Sequence, residues 1–233
     1  MTDSRRARDG AITTQDRPST RRLLAAGALA PLIFVGAFLI EGAMRPDYDP
    51  LRHPVSSLEF GALGWTQRAN FIVTGLLTLG FVSGLRAALR PMGGSRWALI
   101  LLAAVGIGFI GAGIFIPDPL NGFPPGTPNR PVERSVSGVL HDLFSTGFFV
   151  GLPAACFVLG RRFVGWGQRA WAAYAIATGL AFLIAAFLTS AGFAQVNGLP
   201  DIAGLLQRIT VVIGLTWMDL LSVHLLKQPE LGR

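Results

Sequence analysis

Six apolar runs, each close to twenty residues long, dominate this chain and leave it few ways to fold. They are approximately Leu23–Met44, Ala69–Leu89, Trp97–Phe115, Ser137–Leu159, Ala170–Leu188 and Leu205–Leu225. A helix needs roughly 20 residues to cross the hydrocarbon of a bilayer. Lipid offers no partner to backbone N–H and C=O groups, so a spanning segment must satisfy its own, as a helix does and an open sheet does not. A transmembrane β-barrel would alternate in strands of about ten residues, and these runs do not alternate. Charged residues make up 14% of the chain, against about a quarter in soluble domains. The expected fold is therefore all-α: a polytopic membrane protein, a bundle of six transmembrane helices.

Domain organisation follows from the runs. Residues 1–22 are polar, without apolar periodicity, and read as a disordered cytoplasmic tail. Residues 23–225 form the six-helix transmembrane domain, and 226–233 a cytoplasmic C-terminal tail. Thr20-Arg21-Arg22-Leu23-Leu24 fits a twin-arginine export pattern. The run from Leu23 to Ile40 is long for a signal peptide and further runs follow it, so a retained first helix is expected. Fourteen of the twenty Lys and Arg residues fall on the side of the termini and six on the other. The positive-inside rule then puts both termini in the cytoplasm of a bacterial cell membrane. The net charge of +7 and pI of 11.1 do not point to nucleic acid, because the arginines lie between apolar runs instead of along one helix face. Cys156, the only cysteine, excludes an intrachain disulfide and reads as a buried thiol.

Small residues recur every fourth position: Gly80 and Gly84; Ala104, Gly108 and Ala112; Gly147, Gly151 and Ala155. In lipid this spacing lets helix backbones approach closely. No GxGxxG follows a strand and no Walker A sequence is present, so nucleotide binding has no support. Pro31 and Pro153 are expected to kink their helices. Six prolines between 117 and 131 disfavour helix there and predict a stiff cap. Thr74-Gly75, Trp97 and Asn121-Gly122-Phe123-Pro124 are echoed by Thr146-Gly147, Trp171 and Asn197-Gly198-Leu199-Pro200, as either a two-helix duplication or glycine-rich coincidence would produce.

With topology set, ionisable and polar groups gather at the outer ends of the helices. They are Glu41, then His53, Ser56, Ser57 and Glu59 in the first outer loop, Asp118 after the third helix, His141 and Asp142 in the fourth, and Gln207 and Arg208 in the sixth. Such groups in spanning segments are costly and face a partner or a water-filled cavity. Three readings compete. In the first, Arg208 pairs with Glu41 or Asp118 and His141 bonds a carboxylate, as structure only. In the second, a membrane-embedded hydrolase uses His141 and Asp118, with His53, Asp118 and His141 as candidate metal ligands; no HExxH-type spacing supports it, and His141 and Asp142 point about 100° apart. In the third, preferred reading, Glu41, Ser56, Glu59, Asp118, His141, Asp142 and Arg208 bind or pass a small polar solute or lipid headgroup, with Arg208 meeting a phosphate or carboxylate. No cofactor and no reaction can be named from the residues. Asp219 and His224, near the inner end, read as a hydrogen-bonded core acid and an interfacial imidazole.

One further pattern spans the chain. His53-Pro54-Val55-Ser56-Ser57-Leu58-Glu59, Gly64-Trp65, Asn70-Phe71 and Gly75 are followed by Gly111 and Gly113 ahead of Phe115 and Asp118. His141 and Gly204-Leu205-Leu206-Gln207-Arg208-Ile209 come next. This order resembles the domain-of-unknown-function 998 family of prokaryotic membrane proteins over roughly residues 23 to 225. The resemblance implies a six-helix integral membrane protein and no particular activity. By motif, Ser56, Asp118, His141 and Arg208 would be the shared polar positions.

Overall fold

A computed structural model describes residues 17–196 and 198–227. It contains six long helices: α1 (Arg17–Met44), α2 (Gly64–Leu89), α3 (Arg96–Ile114), α4 (Val136–Gly165), α5 (Arg169–Phe193) and α6 (Ala203–Lys227). All six are long and apolar enough to cross a membrane. The protein is an all-α, multi-pass membrane protein. Each helix packs on its neighbours in sequence, and α1 packs on α6, so the six close into a ring.

The helices outrun the apolar runs that announce them. α1 starts at Arg17, so residues 17–22, expected in a disordered tail, are helical. The rest of that tail, residues 1–16, lies outside the described residues, as do 228–233 of the C-terminal tail. The physical reason is that hydropathy reports the hydrocarbon span, while a helix continues into the headgroup region for as long as its backbone bonds hold. α1 and α4 run unbroken through Pro31 and Pro153.

The ring has an apolar outside and an aromatic inside. Leu32, Ile40, Leu76, Ile107, Ile184 and Phe187 are all exposed, as suits side chains that face lipid. Inside, α1 to α5 each contribute a phenylalanine to one cluster: Phe34, Phe71, Phe109, Phe148 and Phe182. Successive centroids lie 5.2 Å (Phe34–Phe71), 5.1 Å (Phe34–Phe109), 5.1 Å (Phe109–Phe148) and 5.4 Å (Phe148–Phe182) apart. α6 adds the fully buried Trp217. Small residues set the helix separations, as their spacing predicts. A Cβ on Gly147 would lie 2.5 Å from Ala104 O, and one on Gly108 would lie 2.6 Å from Phe144 O, so α3 and α4 touch backbone to backbone.

The two ends of the ring differ. One end has only short connections, 90–95 and 166–168. The other carries the long segments 45–63, 115–135 and 194–202, the first of which includes a 3-10 turn, Val55–Glu59. The proline-rich segment folds inward as a cap. Its Phe123 is buried, with ring centroids 5.3 Å from Tyr48 and 5.1 Å from His53.

Candidate functional site

Arg208 projects from the first turns of α6 toward the segment 45–54. Its Nη1 donates to His53 O (3.1 Å) and Gly204 O (2.9 Å), and its Nη2 donates to the Tyr48 hydroxyl. The guanidinium carbon lies 5.8 Å from the Phe38 ring centroid and 5.5 Å from that of Tyr48. The expected pairing with Glu41 or Asp118 is not made. Carbonyl oxygens and ring faces satisfy this cation instead, and it does not line the cleft described below. Tyr48 passes the contact on, donating to Pro54 O at 2.9 Å. Its burial pushes the phenol's pKa up, with the Arg208 charge opposing.

A second junction is centred on Asn121, which is fully buried with φ +59°. Its Nδ2 donates to Arg52 O and Pro200 O, both at 2.9 Å, and its Oδ1 accepts from Gln195 Nε2. One side chain thus ties the three long segments together. Arg52 adds bonds from Nε to Asn121 O (3.1 Å) and from Nη2 to Asn129 Oδ1 (3.1 Å). Tyr48 and Asn121 escaped sequence reasoning. The signal for Asn121 was its Asn-Gly step, since Asn tolerates the left-handed region a turn needs.

Beside these junctions, Asp118 accepts from the Ser135 backbone N–H (3.3 and 3.2 Å) and from Arg134 Nε (3.2 Å) at the start of α4. The helix is capped by the Ser135 hydroxyl, which accepts from Gly138 N at 2.9 Å. Arg134 also bonds Asp142, so it bridges two carboxylates.

Between α4, α5, the start of α6 and the loops lies a cleft of about 400 Å³. Of the expected residues, Ser56, Asp118, His141 and Asp142 line it, together with Gln207 and Arg134. Sequence reasoning did not foresee the contribution of α5, through Thr189, Ser190 and Phe193. An inner recess of about 50 Å³ continues toward the phenylalanine cluster, and Ser56, His141, Ser145, Phe149 and Gln207 line both chambers. Glu41 is not at the cleft; it lies on the α1–α2 side, beside Thr66 and Arg45.

His141 forms the neck. Its Nδ1 sits 3.0 Å from Ala112 O and 2.8 Å from Phe115 O, at the C-terminal end of α3. Carbonyl oxygens only accept, so Nδ1 carries the hydrogen, and Nε2 is the ring nitrogen left for a ligand. The carboxylate expected as its partner is not hydrogen-bonded; the approach, Glu59 Oε1 to Nδ1, is 3.7 Å. Glu59 itself is 4% exposed, and neither of its oxygens has a hydrogen-bond partner among the described residues. Burial pushes its pKa up to about 9, against an opposing pull from Arg68. Glu59 is therefore an uncharged acid at neutral pH, lying behind the cleft instead of lining it.

The metal candidates do not converge. His53 Nδ1 accepts from Asp49 N at 2.9 Å, its ring is held between Tyr48 and Phe123, and burial lowers its pKa. Among the described residues, no three His, Cys, Asp or Glu side chains are placed to hold a metal ion. Toward the other end, Asp219 is partly exposed and its side chain makes no hydrogen bond among the described residues, contrary to expectation. There, His224 meets Gln168 Oε1 at 2.8 Å and lies 4.1 Å from the Trp171 ring.

Comparison with curated proteins and with solved structures finds no match. A family profile described as Protein of unknown function (DUF998) matches residues 28–224, from within α1 to the last turn of α6. That span includes the Arg208 and Asn121 junctions, the cleft and Glu59, so the chain belongs to this family of proteins of unknown function.

Proposed function

We propose that the protein binds a small polar group, neutral or cationic, in the cleft at the end carrying the long loops. The distribution of Lys and Arg turns that end away from the cytoplasm of a bacterial cell membrane. The ligand is a free solute or the headgroup of a lipid, and passage of a solute would begin at the same site.

The observation that carries this reading is the set of unused polar groups at the neck. His141 Nε2 and the hydroxyls of Ser56 and Ser145 border both chambers and make no hydrogen bond among the described residues. Polar groups at membrane depth are retained where something satisfies them. The sign of the ligand follows from the fixed charges lining the cleft: Asp118, Asp142 and a single Arg134. Arg208, the cation expected to meet an anion, donates elsewhere. A phosphate or carboxylate alone would meet a net negative wall.

Native mass spectrometry of the purified protein tests the proposal, with Ser145→Phe chosen to fill the neck. Wild type is expected to retain an adduct that Ser145→Phe loses while keeping its thermal stability. A lipid-sized mass would identify a headgroup and a mass of a few hundred daltons or less a solute. An adduct equally retained by both proteins would place binding elsewhere and end this reading.

A further inference from the structure

α2 carries a line of polar side chains through a span that is otherwise apolar. Gln67, Asn70, Thr74 and Thr78 follow one another at steps of three, four and four residues, which puts them on one helix face. All four are buried, at 0%, 6%, 0% and 0% exposure. Thr78 satisfies itself by donating to Thr74 O at 2.8 Å. The others do so only in part. Asn70 Nδ2 donates to Phe34 O (3.2 Å) and Gln67 Oε1 (3.1 Å). Among the described residues, Asn70 Oδ1, Gln67 Nε2 and Thr74 Oγ1 have no hydrogen-bond partner, and neither has either oxygen of Glu59. Glu59 ends a 3-10 turn separated from α2 by residues 60–63, and a Cβ on Gly64 would strike its backbone.

Five unpartnered polar atoms in one buried stretch is far from the native norm, in which nearly every such atom bonds protein or ordered water. We propose that the inner face of α2 holds a file of ordered waters running from Glu59 to Thr74, through which the carboxyl group of Glu59 exchanges its proton. The chemistry of the atoms selects the occupant. Gln67 Nε2 is a donor, Asn70 Oδ1 an acceptor, and the Thr74 hydroxyl and the Glu59 acid are both. A hard cation such as calcium or magnesium asks for oxygen ligands alone, and an anion asks for donors alone. Water alternates the two roles and bridges such groups with two to four bonds.

The file is closed at its inner end. Thr78 has turned its hydroxyl onto the backbone, so the unpartnered stretch of α2 runs from Gln67 to Thr74, roughly 10 Å of helix. It is thus an antechamber for a proton and not a path across the membrane. The charged or titratable groups near the Glu59 carboxyl are His141 Nδ1 from α4 and Arg68 from α2, while Arg45, at the end of α1, holds the flanking carbonyls Leu58 O at 3.0 Å and Phe60 O at 2.7 Å. His141 alone is shared with the cleft, through its other ring nitrogen; Gln67, Asn70, Thr74 and Glu59 do not line the cleft, so this proposal rests on different atoms from the ligand reading.

The full chain in detergent provides the test, using Thr74→Val, which keeps the side chain's shape and removes only the hydroxyl. The reporter is the infrared C=O band of a protonated carboxyl at neutral pH that is missing from Glu59→Gln. In a wet file, the shift of that band on transfer to D2O slows several-fold in Thr74→Val, and the variant's Tm does not rise. In a dry one, the unpaired hydroxyl is a simple cost, so Thr74→Val raises Tm and leaves the shift rate unchanged, overturning the proposal. Absence of a Glu59-dependent band would overturn it too.

Discussion

Two polar groupings share one end of this ring, and they are built on opposite principles. Around Arg208 and Asn121, donors and acceptors are matched: three donor contacts from one guanidinium, two from one amide, with carbonyls and a phenol receiving them. Around His141, Glu59 and the inner face of α2, the side chains are as buried but atoms are left over. Burying a polar group costs free energy unless something bonds it. Where the protein supplies the bond, the grouping is a fastening. Where it does not, the bond must come from a ligand or from water. Residue type and depth alone would have ranked Arg208 as the more reactive feature; the count of unused atoms reverses that order.

The comparison breaks if the matched grouping proves dispensable. Arg208→Ala strips bonds from His53 O, Gly204 O and Tyr48 at once, and charged hydrogen bonds contribute roughly 1.5–3 kcal/mol each. A loss of roughly 5 kcal/mol or more is expected, a Tm drop on the order of 10–20 °C for a chain of this size, measured by thermal unfolding in matched detergent. Ligand retention in whatever folded protein remains should be unchanged. A variant that is stable but stripped of ligand would move Arg208 into the site.

The unmatched grouping makes a pH prediction of opposite character. Glu59 has a folded-state pKa raised from 4.5 to about 9, so the native state holds a proton that the unfolded chain releases. Stability is then highest below the unfolded value and falls as pH rises between 4.5 and 9. The slope approaches about 1.4 kcal/mol per pH unit for one proton, hence roughly 3 kcal/mol between pH 6 and 8 at most. Glu59→Gln should flatten this dependence. A wild-type Tm that climbs over the same range would show an ionised, paired Glu59 and remove the contrast between the two groupings.

Much of this architecture is legible in the residues, and the rest is hidden for identifiable reasons. Six apolar runs give six helices, and the four-residue spacing of Ala104 and Gly108 and of Gly147 and Gly151 marks the α3–α4 contact, because both depend on local periodicity. The gathering of Ser56, Asp118, His141 and Asp142 at one end follows from topology. Which atoms they bond does not, since the partners are backbone carbonyls on distant loops. Arg208 shows this most clearly: its receivers, His53 O and Gly204 O, leave no mark in a sequence. Glu41 shares a depth with the cleft but faces another helix, a rotation that apolar content alone does not fix. The spacing of Gln67, Asn70 and Thr74 was legible, though only the missing partners give it meaning.

The smallest expected effect is the most discriminating. Arg134 lies between two carboxylates of unequal setting, with side-chain exposures of 12% for Asp118 and 61% for Asp142. Asp118 also holds the first turn of α4, so replacing it would confuse folding with binding. Asp142 holds only the outward half of the bridge. Exposed pairs of this kind contribute roughly 0–1 kcal/mol, and Asp142→Asn should leave Tm nearly unchanged. It nevertheless removes one negative charge from the cleft wall and leaves Arg134 with a single partner. If the ligand is cationic, the adduct seen in native mass spectrometry should weaken with no loss of stability. An adduct strengthened by Asp142→Asn would mean that Arg134, once half released, is what the ligand prefers. The polar group would then be an anion, and the cleft's charge would have been read with the wrong sign.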